Sequence, residues 1–352
     1  MKRTLLVMAG GTGGHVFPGL AVADLLHARG WKIVWMGNPD SFEARVVPGR
    51  GYEMAWVKFS ALRGKGLLRK LMLPVNLLSG FWQAWKQIRR IRPDVVLGMG
   101  GYVSFPGGMM AVLAGCPLVI HEQNSIAGLA NRVLARVADR ILCGFPDALS
   151  RGEWVGNPVR PEIAQMPQPA ERLDGRQPPL RLLVLGGSLG AAAINDVVPK
   201  GLALIPPHER PMVVHQAGAK HIEQLKANYA AAGVEAECVD FIDDMAGAYD
   251  WADLVLCRAG ALTVAELAAT GVASILVPFP HAVDDHQTAN ARFLSSIGGA
   301  ILLPQPEMTP ESVSLIRNYT RGQLLQMAEK ARSRAKPDAA VQAASVCEEL
   351  AK

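Results

Sequence analysis

Short apolar runs alternate with helical stretches along the whole of this chain, and the same order occurs twice. Leu5 to Ala9 leads into Gly10-Gly11-Thr12-Gly13-Gly14-His15 and then a helical stretch to Arg29. Leu182 to Leu185 leads into Gly186-Gly187-Ser188-Leu189-Gly190 and a helix from Ala191 onward. Further strand-like runs follow each turn: Ile33–Met36, Val95–Leu97, Leu118–His121 and Arg140–Cys143 in the first half, then Val213–His215, Leu254–Cys257 and Ser274–Val277 in the second. Alternating strand and helix predicts parallel sheets covered by helices on both faces. The stretch from Gly156 to Pro179 is rich in proline and charge, which places a linker near residue 160. The expected architecture is α/β: two doubly wound, Rossmann-like domains, 1–160 and 161–352, with a cleft between them. In such domains ligands sit beyond the carboxyl ends of the strands, where both glycine turns lie. Within the C-terminal stretch from Pro310, the last helix is expected to pack back on the first domain.

A length of 352 residues, half of them hydrophobic, suits two domains with sizeable cores. The five cysteines, Cys116, Cys143, Cys238, Cys257 and Cys347, are odd in number and show no metal-knuckle or redox spacing, which favours a reducing compartment. The apolar start of the chain runs directly into Gly10-Gly11 and reads as a strand rather than a signal peptide. No apolar stretch is long enough to span a bilayer. A net charge of +5 permits an anionic lipid, a nucleic acid or a phosphorylated substrate and selects none of them.

A glycine turn between strand and helix presents backbone N–H groups at a helix N-terminus, an arrangement suited to phosphate. One such turn is equally a ligand-free tight turn; two at matched positions point to function. A dinucleotide oxidoreductase needs G-x-G-x-x-G and an acid at the end of the second strand. Here Gly11-Thr12-Gly13 lacks the third glycine, and the second strand ends in Gly37-Asn38 with Asp40 beyond it.

Eight ordered stretches between residues 10 and 290 together resemble the MurG family of N-acetylglucosaminyltransferases. They are Gly10–Gly19, Gly98–Ser104, His121–Asn124, Gly156–Arg160, Gly186–Ala191, Phe241–Met245, Arg258–Glu266 and Asp285–Asn290. Two positions depart from the family's usual pattern, with Leu189 where Gln is common and Ala259 where Ser is. A side-chain contact at Leu189 is not expected, while the backbone role of the turn survives. The resemblance implies a GT-B fold with the nucleotide donor bound mainly by the second domain and the acceptor by the first. It implies an inverting transfer from UDP-N-acetylglucosamine to the 4-hydroxyl of the muramyl sugar of lipid I, giving lipid II for peptidoglycan synthesis. It also implies no metal and no cofactor, in keeping with the absence of a D-x-D motif. Charge on the departing UDP is then left to helix dipoles, backbone N–H groups and a cation.

The same resemblance assigns residues. Glu266 would bind the uridine ribose, although Thr263-x-x-Glu266 also fits a capping box. The loop and helix start through Ala261, Leu262, Thr263, Val264 and Ala265 would lie along the nucleotide. Ile242 would meet the uracil, against the ordinary reading of a core isoleucine. Ser188 and Arg160 would serve the diphosphate, against a helix cap and a solvated linker arginine. Gln287 and Asn124 carry amides suited to sugar hydroxyls and the N-acetyl group. Thr12, Gly13 and Gly14 count among the donor-binding residues; facing Gly100, Gly101 and Tyr102 on the acceptor side, they could also cradle the lipid diphosphate. His15 is the leading general base, since a neutral imidazole can take the proton of the attacking hydroxyl. Glu122 is the other candidate.

Residues 58–92 hold nine Lys and Arg and no acid, interleaved with Leu, Phe and Trp. Leu78, Trp82 and Trp85 share one helical face. A basic amphipathic helix with tryptophans suits an anionic membrane surface, which predicts a peripheral protein on the cytoplasmic face of the bacterial inner membrane; the plainer alternative is a core-facing helix with a solvated side. No nucleic-acid module is recognisable. Two other functions fit the same turns: a transferase of this fold acting on another glycolipid, and a silent binder of the nucleotide sugar.

Overall fold

The computed structural model describes residues 2–59, 73–187 and 190–351. Ser188, Leu189 and the first basic cluster of the 58–92 segment, from Arg63 to Lys70, lie outside them. The chain divides into two compact units, Met1–Arg160 with Pro337–Lys352, and Pro161–Lys336.

The first unit is built on seven parallel strands: β1 Thr4–Ala9, β2 Lys32–Gly37, β3 Glu53–Trp56, β4 Val95–Gly100, β5 Leu118–Glu122, β6 Arg140–Cys143 and β7 Glu153–Trp154. Their order is β3-β2-β1-β4-β5-β6-β7, so the direction of winding reverses between β1 and β4. Strands β1 and β4 are buried at every position, as expected of central strands covered on both sides. One face packs on Val16, Leu20, Ala23 and Leu26 of the helix Gly13–Ala28 and on Ala343, Ala344 and Cys347 of the last helix, Ala339–Leu350. The other packs on Ala84 and Ile88 of the helix Leu73–Ile91, on Ala111 of Ser104–Leu113 and on Leu134 of Leu129–Leu134.

The second unit has six parallel strands: β8 Arg181–Leu185, β9 Met212–Gln216, β10 Glu237–Val239, β11 Leu254–Cys257, β12 Ala273–Leu276 and β13 Ile301–Leu302. The order β10-β9-β8-β11-β12-β13 repeats the reversal, here between β8 and β11. At the end of the sheet away from the glycine turn, the buried Asp253 carboxylate accepts from Arg176 at 2.9 Å and Arg321 at 3.1 Å. Beside it the buried Arg172 guanidinium donates to the carbonyls of Tyr249, Ala252 and Gly271. This cluster ties the segment entering the unit to its core.

The C-terminal segment divides between the two units. Residues from Pro310 through the helix Arg321–Arg332 belong to the second unit, where Val313, Ile316 and Leu324 enter its core. Only Pro337–Lys352 joins the first.

Candidate active site

In the first unit the sequence-assigned residues other than Arg160, which follows β7, come from the carboxyl ends of β1, β4 and β5, where the winding reverses. After β1 the chain turns through Gly11, at φ +91°, into the helix Gly13–Ala28. Thr12 is its extended N-cap and makes no side-chain cap bond. After β4, Gly100 and Gly101 have φ of +103° and +86°. The two turns touch: Gly10 N–H donates to the Gly100 carbonyl at 3.3 Å, and a Cβ on Gly101 would lie 2.2 Å from the Gly10 oxygen. A Cβ on Gly100 would lie 2.9 Å from His15 Nδ1, so the missing side chain lets the imidazole lie against the β4 exit. Tyr102 follows and is exposed.

From β5 come His121, Glu122, Gln123 and Asn124. His15 Nδ1 lies 2.7 Å from Gln123 Oε1. Gln123 Nε2 lies 3.0 Å from the His121 carbonyl oxygen and 2.9 Å from His121 Nδ1. His121 Nε2 lies 2.9 Å from the Gly156 carbonyl oxygen. His121 is fully buried, and burial pushes its pKa down to about 4, so it is neutral at physiological pH.

Glu122 is also buried, and its carboxylate is occupied. One oxygen accepts from Asn124 N–H at 2.9 Å; the other accepts from Asn131 Nδ2 at 2.8 Å and Gly128 N–H at 3.2 Å. The carboxylate lone pairs are thus taken up by donors between Asn124 and Asn131. His15 is only half-buried, and its Nε2 has no partner among the described residues.

In the second unit the turn after β8 carries Gly187 and Gly190, both at φ +77°. Ile242 follows β10 and is partly exposed. After β11 the helix Ala261–Thr270 starts from an extended Gly260 N-cap. Thr263 is therefore the third helical residue, and Thr263 and Glu266 do not form a capping box. Glu266 is buried and accepts from Tyr249 Oη at 3.0 Å. Arg258 donates to the Val277 and Pro278 carbonyls, and its guanidinium lies 5.5 Å from the Phe279 ring centre, linking the exits of β11 and β12. Gln287 Oε1 accepts from Phe279 N–H at 2.9 Å.

The residues assigned to the donor fall on both units: Thr12, Gly13, Gly14, Asn124 and Arg160 on the first, and Ile242, Ala261–Glu266 and Gln287 on the second. Sequence reasoning missed the side chains that pin the turns. In the first unit the buried Glu43 accepts from Gly11 N–H at 3.0 Å and Asn38 N–H at 2.9 Å. In the second, Gln216 Oε1 accepts from Gly187 N–H at 3.0 Å while its amide donates to the Asp240 carbonyl at 2.9 Å. Gln216 ends the neighbouring strand β9 and Glu43 lies in the short helix Phe42–Val46 after β2, and nothing local in the sequence marks either.

Residues 5–143 match the glycosyltransferase family 28 N-terminal domain, and residues 181–348 match the C-terminal domain of the same family. A protein of Dechloromonas aromatica named UDP-N-acetylglucosamine–N-acetylmuramyl-(pentapeptide) pyrophosphoryl-undecaprenol N-acetylglucosamine transferase is 69% identical over the full length of both chains. A Ralstonia nicotianae protein of the same name is 62% identical over 99% of this chain and 96% of its own. Among solved structures, Acinetobacter baumannii MurG is similar at a TM-score of 0.85 with 39% identity, over 99% of each chain. The kitacinnamycin glycotransferase shares the fold alone, at 17% identity and a TM-score of 0.70 over the full length of both chains. With both halves matched in order and full-length relatives at such identity, the chain is a glycosyltransferase of family 28 and belongs to the MurG family within it.

Proposed function

We propose that this protein transfers N-acetylglucosamine from UDP-N-acetylglucosamine to the 4-hydroxyl of the muramyl sugar of lipid I, producing lipid II with a β linkage. The observation that carries this reading is 69% identity, end to end, to a relative named for that transfer. The chemistry of each unit supports it. In the second unit Gln216 pins the turn after β8 by accepting from Gly187 N–H, and in this proposal the helix Ala192–Ala203 that follows turns its N-terminal end to the diphosphate. Ser188 and Arg160 add a hydroxyl and a permanent charge in this proposal, Glu266 takes ribose hydroxyls, Ile242 borders the base, and Gln287 and Asn124 meet the sugar. In the first unit Gly100, Gly101 and Tyr102 face the acceptor across the first glycine turn.

The acceptor oxygen attacks the anomeric carbon in line as the bond from that carbon to the UDP oxygen breaks. The hydroxyl proton goes to His15 Nε2, and the electron pair of the broken bond leaves with UDP. Glu122 holds the Asn124 loop in shape. The enzyme works from a membrane surface, reached through the outer face of the helix Leu73–Ile91; among the described residues no helix is long and apolar enough to cross a bilayer.

The test is sugar transfer from radiolabelled UDP-N-acetylglucosamine to a short-chain lipid I analogue with EDTA present. Labelled disaccharide-lipid is the expected product. Binding of the nucleotide sugar without product would overturn the lipid I assignment and favour another glycolipid acceptor or a silent binder.

A further inference from the structure

We propose that Gln123 and His121 are positioning residues that hold His15 in a single tautomer, with Nδ1 protonated and Nε2 left as the lone pair that receives the acceptor's proton. The proposal rests on reading His15 as the base. It follows from two carbonyl oxygens, which can only accept.

The first is the Gly156 carbonyl, 2.9 Å from His121 Nε2. Because His121 is buried and neutral it carries one ring proton, and that proton must sit on Nε2 to meet this oxygen. Its Nδ1 is then a lone pair. The second is the carbonyl of His121 itself, 3.0 Å from the Gln123 side-chain nitrogen. It requires the amide NH₂ of Gln123 on this side. One N–H meets the carbonyl and the other meets His121 Nδ1 at 2.9 Å. The orientation of Gln123 is thus set twice, by independent acceptors. Its oxygen has to face the other way, towards His15 Nδ1 at 2.7 Å. An amide oxygen cannot donate, so His15 Nδ1 carries the proton and Nε2 does not.

The frame around this chain is rigid. Gly156 has φ +89°, which sets the direction of its carbonyl and favours glycine. The next residue, buried Asn157, donates to the Gln123 main-chain oxygen at 3.0 Å. The Gly156-Asn157 pair, read from sequence as the start of a linker, therefore anchors the far end of the base's support. Nothing in the chain needs to move when His15 takes a proton, because the Nδ1–H bond to Gln123 serves imidazole and imidazolium alike.

The experiment is a two-bond ¹H–¹⁵N correlation on the full-length protein labelled in histidine, at a pH where His15 is neutral. His15 is assigned by the signals lost in His15→Gln. The expected result is Nδ1 at the protonated shift and Nε2 at the unprotonated one. In Gln123→Met, which keeps side-chain length and loses both polar ends, the Nε2–H form should appear. There kcat should fall about tenfold, the scale of one hydrogen bond, with KM for UDP-N-acetylglucosamine little changed. Gln123→Glu keeps an acceptor for His15 and should retain the wild-type tautomer. An Nε2–H tautomer in the wild-type protein, or a tautomer unmoved by Gln123→Met, would overturn the proposal. Full turnover by His15→Gln would instead remove the base reading on which it rests, whatever the tautomer.

Discussion

Single residues at the site separate into those that need their chemistry and those that need their lack of it. Glu122 belongs to the first kind. Glu122→Gln puts an NH₂ where backbone and Asn131 donors already point, so about 1–3 kcal/mol of stability should be lost along with part of the activity. Thermal unfolding and kinetics together check this. An unchanged Tm with a loss of about 10²–10⁴-fold in kcat would make Glu122 the base after all. Gly101 belongs to the second kind. In Gly101→Ala the strained φ is joined by a Cβ 2.2 Å from the Gly10 oxygen, so the two turns must separate. Gly30→Ala has a similar φ of +88° but nothing within 4 Å of the new carbon. We expect a cost of about 1 kcal/mol and normal activity for Gly30→Ala, against a larger loss of Tm and a collapse of kcat/KM for Gly101→Ala.

Among the elements, the helix Leu73–Ile91 shows most clearly how one segment serves two environments. Ala84 and Ile88 are buried in the core, and Phe81 meets Phe105 edge to face. On the opposite side Val75, Leu78 and Trp82 are 58%, 70% and 64% exposed. Lys86 lies 5.5 Å from the centre of the exposed Trp82 ring and Arg89 5.3 Å from that of the half-buried Trp85, so cations rim this face. Replacing Leu78 and Trp82 together by serine should leave Tm within about a degree, because no core contact is lost. Sedimentation with vesicles containing anionic lipid should fall several-fold. Transfer to a membrane-embedded acceptor should weaken, and transfer to a short-chain soluble analogue should not. Equal loss with both acceptors would assign this face to the core or to substrate instead of the membrane.

For the molecule as a whole, each unit keeps a buried neutral histidine at a strand end near its glycine turn. Burial pushes His121 down to about 4 and His215 to about 3, from an ordinary value of 6.5. His215 meets Tyr229 Oη at 2.9 Å and Asn195 Oδ1 at 3.1 Å. The sign of the linkage is set by these depressed values. Above about pH 6.5 the histidine is neutral in both states and contributes no pH dependence. As pH falls below that, the unfolded chain takes up protons that the folded one refuses. Stability should drop by about 1.4 kcal/mol per pH unit for each histidine, until the folded pKa is reached. Tm should therefore fall steeply between pH 6.5 and 4, and a His215→Gln variant should show a visibly shallower acid limb than the parent protein. Identical limbs would mean that carboxylates, not this histidine, govern acid unfolding.

Much of this protein was legible from local pattern. Continuous apolar runs mark central strands because those strands are covered on both faces. Glycines mark the turns because positive φ and close backbone approach exclude a side chain. The ordered motifs carried the family. Edge strands were not legible: β3, β7 and β13 are short and only partly buried, so their composition carries no continuous apolar signal. Nor was the point at which the C-terminal segment divides, since buried Val313, Ile316 and Leu324 of one core and Ala343, Ala344 and Cys347 of the other are equally apolar until contacts hundreds of residues away sort them. The turn pins Glu43 and Gln216, the occupied carboxylate of Glu122 and the path from Gly156 to His15 likewise depended on tertiary structure. A residue's type states which hydrogen bonds it can make. Which partner it meets, and hence which nitrogen of His15 is bare, is decided only when separate stretches of chain are brought within three ångströms of one another.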